Sequence, residues 1–203
     1  MPTKDTSLLR QQLLSQRLSM EESNFSQKLA WDEQISANLA IFLKTLQSQI
    51  QSIAFYWPIK GEPDIRAPLI EWSKAKSNRC LALPITNQNL PLKFHRWDET
   101  AIMRNGAFKI PEPENTAEVN VDVIIAPCLG WLRASSGNWR LGYGGGYYDR
   151  TLQSLNSLNR SPLFIGIAYE IGKLDPKDWE PQAHDIQLDL IITNATTYLS
   201  KQT

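Results

Sequence analysis

The sequence predicts an α/β protein, an open and mostly parallel sheet flanked by helices in three α/β/α layers, with a helical pair at the N-terminus. Two observations carry this. No Gly or Pro interrupts the chain between Pro2 and Pro58, and leucines recur there at helical spacing. From residue 53 onward, short continuous apolar runs alternate with punctuated or amphipathic stretches. Runs of β-branched and aromatic residues suit strands covered on both faces, as parallel strands are, and their alternation with helices indicates α/β layering. A chain of 203 residues that is 42% hydrophobic can bury a sizeable core. The expected organisation is one domain over 1–203, with a helical segment 5–50 packed on an α/β core 53–198.

The elements follow in order. Leu8, Leu9, Leu13, Leu14 and Leu18 form the stripe of the first helix. Ser19 and Glu22 have the form of a capping box, so a second helix is expected to start there, its apolar face carried by Phe25, Leu29, Ile35, Leu39, Phe42, Leu43, Leu46 and Ile50. Strands are expected at 52–57, 79–83, 121–126, 163–169 and 188–193, and helices at 65–72 and 147–158. Residues 86–118 fit the alternation poorly and are expected to hold an antiparallel edge excursion.

Composition excludes several classes. Lys+Arg and Asp+Glu both number 21, so the surplus positive charge of a nucleic-acid or membrane-surface binder is missing. Cys80 and Cys128 are too few and too far apart for a disulfide scaffold or a four-thiolate zinc site. The first residues lack the apolar core of a signal peptide, and no apolar run approaches the ~18 residues of a membrane span. The expectation is a cytoplasmic monomer.

The chemistry concentrates in one segment. Six of the ten glycines lie between Gly130 and Gly146, where uniform scattering would place about one. Arg140, Leu141, Gly142, Tyr143, Gly144, Gly145, Gly146, Tyr147, Tyr148, Asp149 and Arg150 follow the 121–126 strand and run into a helical pattern. Glycines let backbone N–H groups approach a ligand, and a helix N-terminus behind them makes an anion site suited to phosphate. A structural turn is the alternative reading. The segment is neither a Walker A loop, since no Gly-Lys-Ser/Thr follows, nor the dinucleotide fingerprint, since Tyr147 stands at its third Gly. Residues 131–160 carry a net charge of +3 and residues 170–189 a net of −4. A basic glycine loop beside an acidic segment suits phosphate with Mg²⁺, which makes Asp149 and Asp185 metal candidates; either could instead cap its own backbone.

The 140–150 segment resembles the signature of the 5-formyltetrahydrofolate cyclo-ligase (5,10-methenyltetrahydrofolate synthetase) family. Further pieces agree in order and spacing: Leu9 and Arg10, Arg17, Leu18 and Ser19; Tyr56, Pro58, Glu62, Asp64 and Arg66; Ile110 to Pro113 by its Ile-Pro-Glu-Pro; Asp122 through Pro127; and His184, Asp185, Leu188, Asp189 and Thr193. The resemblance implies a fold like that of sugar-phosphate isomerases and CoA transferases. It also implies an ATP-dependent cyclisation of 5-formyltetrahydrofolate to 5,10-methenyltetrahydrofolate, with Mg²⁺ as cofactor and ADP and phosphate as co-products. In that pattern Arg10 and Arg140, Leu141, Gly142, Tyr143, Gly144, Gly145, Gly146, Tyr147 and Tyr148 contact ATP. Tyr143 to Tyr147 also border the folate, Glu62 binds the pterin, and Tyr56 and Trp57 offer it aromatic surface. Asp149 and Asp185 ligate Mg²⁺, and Arg140, Tyr147 and Asp149 form the catalytic set.

The chain also departs from the family pattern. Thr6 and Ser7 stand where the family carries an N-terminal Lys, so the ATP contact passes to Lys4, six residues before Arg10. The stretch 130–139 is longer than the usual link, and Trp131 and Trp139 in it either form a lid or an extra stacking surface, or pack a longer loop. His184 beside Asp185 is read as structural or as a support to the site residues rather than a catalytic partner, because neighbours on an extended chain point oppositely. His95 is read as solvated surface and Cys128 as a small buried apolar residue. Two other readings remain open, a folate- or nucleotide-holding protein without turnover and an isomerase or acyl-CoA transferase of the same fold.

Overall fold

The computed structural model describes residues 5–200. Among them α1 (Thr6–Ser23) and α2 (Phe25–Thr45) lead, followed by β1 (Ser52–Ala54), α3 (Arg66–Lys74), β2 (Cys80–Ile85) and β3 (Lys93–Trp97). A short ribbon of β4 (Met103–Asn105) and β5 (Pro111–Pro113) comes next, then β6 (Val123–Pro127), and a hairpin of β7 (Gly130–Ala134) and β8 (Gly137–Leu141). The chain ends in α4 (Tyr147–Ser157), β9 (Leu163–Ile167), β10 (Leu190–Ile192) and β11 (Thr197–Leu199).

The central sheet has the order β11-β10-β9-β6-β1-β2-β3. Its five inner strands are parallel, in register through Ser52 with Cys80, Ile53 with Val123, Val123 with Leu163 and Ile165 with Leu190. The edge strands β3 and β11 run antiparallel. The fold class is therefore the expected one, and the antiparallel excursion expected within 86–118 is β3 with the β4–β5 ribbon.

Strand side chains alternate between two cores, which is what makes these runs continuously apolar. Ile53, Phe55, Leu81, Leu83, Val123, Ile125, Ile165, Ile167, Leu190 and Ile192 meet Ile35, Leu39 and Leu43 of α2 and Ile65, Leu69 and Trp72 around α3. Ala54, Ala82, Ile124, Ala126, Phe164 and Ile191 face the other way, toward Leu152 of α4 and Trp131. A third cluster stands off the sheet, where Leu9 and Leu13 of α1 pack on Leu129, Leu132, Leu141, Leu174 and Trp179.

Three expectations are corrected. Helix α1 runs through Ser19 to Ser23 and is capped at its start by Asp5, whose carboxylate accepts the Ser7 N–H at 2.9 Å. The break falls at Asn24 (φ −145°), so the Ser19/Glu22 pair starts no helix. Leu8 is 52% exposed and the buried stripe of α1 is Leu9, Leu13, Arg17 and Met20, spacings of four, four and three giving one face where the leucines alone had not. The glycine segment follows the β7–β8 hairpin rather than β6, because Ser135, Ser136 and the positive φ of Gly137 (131°) turn the chain back on itself. In that hairpin Trp131 is fully buried, its indole N–H donating to the Tyr169 carbonyl at 3.1 Å and its ring 4.9 Å from that of Tyr198, so it packs and forms no lid.

Candidate active site

Strand β1 lies between β2, which follows it in sequence, and β6, which comes later and pairs on its other side. At such a reversal the loops leaving the strand ends part in opposite directions and open a crevice. A cleft of about 780 Å³ opens there, lined by Tyr56 and Trp57 after β1, Pro84 and Thr86 at the end of β2 and Pro127 at the end of β6. Its size is that of a small-molecule site.

One wall is the glycine segment between β8 and α4. Gly144 (φ 96°) and Gly146 (φ 63°) hold left-handed backbone that side-chain-bearing residues rarely adopt. Gly146 is the N-cap of α4 and no side chain caps that terminus, so the first N–H groups of an eleven-residue helix face outward without an intrahelical acceptor. A Cβ on Gly145 would meet the Tyr147 ring at 2.9 Å. Arg10 crosses from α1 and donates Nε–H to the Gly142 carbonyl at 2.9 Å, while Arg150 donates to the Gly145 carbonyl at 2.8 Å. Among the described residues, the buried Nε groups of Arg140 and Arg150 have no acceptor. The wall is thus a concentration of donors, as an anion requires.

Asp149, in the first turn of α4, accepts from Arg140 Nη2 at 2.8 Å through Oδ2, and its Oδ1 accepts a long 3.3 Å bond from the Ile186 N–H. Arg140 is itself buried, its guanidinium 5.0 Å from the Tyr148 ring centroid and 5.8 Å from that of Phe164. Asp185 lines the same cleft and accepts the Gln182 N–H through Oδ2 at 2.7 Å. The described residues contain no cluster of three or more His, Cys, Asp or Glu able to hold a metal. Two carboxylates beside an anion cradle fit Mg²⁺, which keeps water and takes phosphate oxygens for its remaining positions, and do not fit a cation that needs a full protein cage.

The opposite wall is the turn Ile59–Glu62, where Lys60 (φ 50°) and Gly61 (φ 70°) reverse the chain. Glu62 is 5% exposed, and its Oε2 accepts the Ile59 N–H at 2.9 Å while its Oε1 accepts the Tyr143 hydroxyl at 2.8 Å. Burial pushes its carboxyl above the usual value, opposed by those two hydrogen bonds and by Arg17 and Lys60. Tyr143 in turn accepts from Arg17 Nη2, so an α1 arginine reaches this carboxylate through one phenol.

The fold brings together every candidate the sequence offered within 5–200: Arg10, Tyr56, Trp57, Glu62, Arg140 through Asp149, and Asp185 all line the one cleft. Lys4 lies outside the described residues. Tyr56 is 3% exposed and donates its hydroxyl to the Pro63 carbonyl at 2.8 Å, so it is chiefly core at the cleft floor. Trp57 is held between Arg66, 4.7 Å from its ring centroid, and Trp97. His184 stands at the rim, its side chain 76% exposed and 4.0 Å from Asp185, so of the two expected readings it takes the place of a neighbour supporting Asp185 rather than a packed residue. His95 is half-buried rather than surface, with Nδ1 2.8 Å from the Thr116 carbonyl. Cys128 is buried as expected, and burial pushes its thiol up to about 12.

Sequence reasoning gave Arg17 no role and missed Phe108. Arg17 was legible as a cation on the buried face of α1, four residues beyond Leu13. Phe108 is 71% exposed at the tip of the β4–β5 ribbon and meets Tyr147 edge-on at 6.1 Å, a placement that no periodicity marks.

The chain is similar to known proteins along most of its length. The family model for the 5-formyltetrahydrofolate cyclo-ligase family matches residues 2–194. A 5-formyltetrahydrofolate cyclo-ligase of Mycoplasma pneumoniae is 32% identical over 191 residues, 94% of this chain and 99% of that one. One of Escherichia coli is 32% identical over 154 residues, 70% of this chain and 77% of that one. Among solved structures, a 5,10-methenyltetrahydrofolate synthetase of Mycoplasma pneumoniae superposes with a TM-score of 0.72 at 29% identity, covering 94% of this chain and 99% of that one. That of Aquifex aeolicus superposes with a TM-score of 0.68 at 30% identity, covering 98% and 94%.

Proposed function

The chain belongs to the 5-formyltetrahydrofolate cyclo-ligase family, and on that footing we propose that it closes 5-formyltetrahydrofolate to 5,10-methenyltetrahydrofolate at the expense of ATP. The observation that supports this best is the meeting, in one cleft, of an uncapped helix terminus with its glycine cradle, two carboxylates, and a buried Glu62 on the facing wall. The cradle suits the polyphosphate, with Arg10 and Arg140 to Tyr148 as its contacts. Glu62 suits the paired N–H donors of a pterin, bordered by Tyr56, Trp57 and the span Tyr143 to Tyr147. Asp149 and Asp185 would hold Mg²⁺, which supplies charge neutralisation at phosphate oxygens.

The formamide oxygen is a poor leaving group. Transfer of the γ-phosphoryl to it, with departure of ADP, makes it a good one; N10 then forms its bond to the formyl carbon, the C–O bond breaks, phosphate leaves and N10 loses its proton. Ring closure is intramolecular and gains effective molarities of about 10⁵ M or more. The burden on the protein is therefore the first transfer. Arg140 brings positive charge to the phosphoryl group as it moves, Tyr147 borders it, and Asp149 fixes the Arg140 guanidinium from its other side. Mixing the protein with 5-formyltetrahydrofolate, ATP and Mg²⁺ should raise the methenyl absorbance in the near ultraviolet; a rise that does not depend on ATP, or none at all with both ligands bound, would sink this reading.

A further inference from the structure

We infer that Arg17 is a positioning residue for the folate, acting on Glu62 through the hydroxyl of Tyr143. The inference rests on the assignment of Glu62 to the pterin and goes beyond it, to what holds that carboxylate in place.

Arg17 is 4% exposed on α1. Its Nη1 makes a long 3.4 Å bond to the Cys128 carbonyl, its Nη2 donates to the Tyr143 hydroxyl, and its Nε has no acceptor among the described residues. Burying a guanidinium is costly without an opposite charge. The carboxylate that answers it is Glu62, one hydroxyl away, since Tyr143 donates to Glu62 Oε1 at 2.8 Å. Arg17 and Glu62 thus form a buried ion pair with a phenol inserted between the charges.

The insertion has a direction. A guanidinium can only donate and a carboxylate can only accept, so the phenol proton is fixed on the Glu62 side. Burial and the neighbouring Glu62 push the Tyr143 hydroxyl well above its ordinary value, which keeps it a donor. The Ile59 N–H holds the other oxygen at 2.9 Å, so the carboxylate plane is set from both ends while one lone pair of each oxygen remains for a ligand. Three segments far apart in sequence meet here: α1, the Ile59–Glu62 turn and the glycine wall. The ring centroid of Tyr143 lies 5.6 Å from the Arg17 guanidinium and 5.1 Å from Lys60 Nζ, so two cations neighbour the phenol.

The groups facing Glu62 are Arg17 from α1, Lys60 from its own turn, Tyr143 from the glycine wall, Tyr56 after β1, Cys128 after β6 and Tyr148 of α4. Arg17 and Lys60 are the cations of that set, and removing Arg17 should leave the buried carboxylate easier to protonate.

The test titrates Glu62 directly, by carboxyl NMR on protein labelled at Glu, with the resonance identified by its loss in Glu62→Gln. Arg17→Met should move the midpoint upward, Tyr143→Phe should move it the same way, and the double variant should move it by less than the sum. Arg17→Met should also lower kcat/KM for 5-formyltetrahydrofolate about tenfold while the KM for ATP changes by less. Arg17→Lys keeps the charge and loses the fork, and should keep the midpoint near that of the wild type. An unmoved midpoint in a folded Arg17→Met variant overturns the inference, as does a moved midpoint with equal losses for folate and ATP. If the wild-type protein proved inactive toward this folate, the assignment of the substrate would fall, while the titration would still decide whether Arg17 governs Glu62.

Discussion

Two buried arginines flank the glycine segment, and they meet their carboxylates differently. Arg140 touches Asp149 directly at 2.8 Å, at the helix end of the segment. Arg17 reaches Glu62 only through Tyr143, on the facing wall. A direct pair neutralises both charges and occupies a carboxylate oxygen, so Asp149 has chiefly Oδ1 left for anything else. A pair with a hydroxyl between its members keeps the carboxylate charged, oriented and partly free. The first arrangement suits a residue that shares its charge with a cation and phosphate; the second suits one that must recognise neutral N–H donors.

The largest effect is expected at Glu62. Glu62→Gln keeps one acceptor and loses the charge, so the two charge-assisted hydrogen bonds proposed to the pterin would become one neutral one. The expected loss in kcat/KM for folate is about 100-fold, with ATP affinity nearly unchanged. An equal loss on both substrates would mean that Glu62 supports the cleft rather than the pterin. The wild-type acid limb sharpens this point. Because burial raises the Glu62 carboxyl, folate binding should begin to fail, as pH falls, above the ordinary carboxylate value of 4.5, and Glu62→Gln should abolish that limb. The same raised value means that folding stability declines as pH rises from the unfolded-state value through the folded one, since the folded protein binds the proton more tightly there.

A smaller effect is expected at the direct pair. Asp149→Asn should raise the Mg²⁺ concentration needed for half-maximal activity by about tenfold or more, since losing even an outer partner of a metal ligand costs that much. It should also lower the melting temperature without Mg²⁺, because the Arg140 guanidinium keeps its burial and loses its counter-charge. An unchanged Mg²⁺ dependence would leave Asp149 as a partner of Arg140 alone. The smallest effect is expected between the two pairs. Gly144→Ala places a side chain at φ 96°, 3.4 Å from the Arg10 guanidinium. At a cost of ~1 kcal/mol it should raise the KM for ATP about fivefold and leave the folate KM alone. An ATP affinity equal to that of the wild type would remove the cradle from the nucleotide site.

The inner strands were legible because strands covered on both faces are apolar without interruption, and 121–126 or 163–169 cannot be read otherwise. The β7–β8 hairpin was not, since Arg133, Asn138 and Arg140 break its apolar pattern; Asn138 is nevertheless fully buried, donating to the Tyr198 carbonyl at 2.8 Å. The Ser19/Glu22 pair misplaced a helix start because a capping box is a local signal, whereas Met20 beside it is held in the core by tertiary contacts. The glycine wall could be read from composition. Its partners Arg10 and Glu62 came only from the family resemblance, and Arg17 came with that pattern but without a role, because a hydroxyl-bridged pair spanning 126 and 81 residues leaves no spacing to find.

Those long separations also bear on how the protein is made. The apolar stripe of α1 finds its cover in Leu129, Leu132, Leu141, Leu174 and Trp179. Arg10 leaves the ribosome 132 residues before its acceptor, the Gly142 carbonyl. At ordinary elongation rates that interval is roughly ten seconds. During it Leu9 and Leu13 are without their native neighbours, and the parallel strands on which the cleft rests are still being synthesised. The cleft is accordingly a late product of translation, complete only once Asp185 has joined the glycine wall.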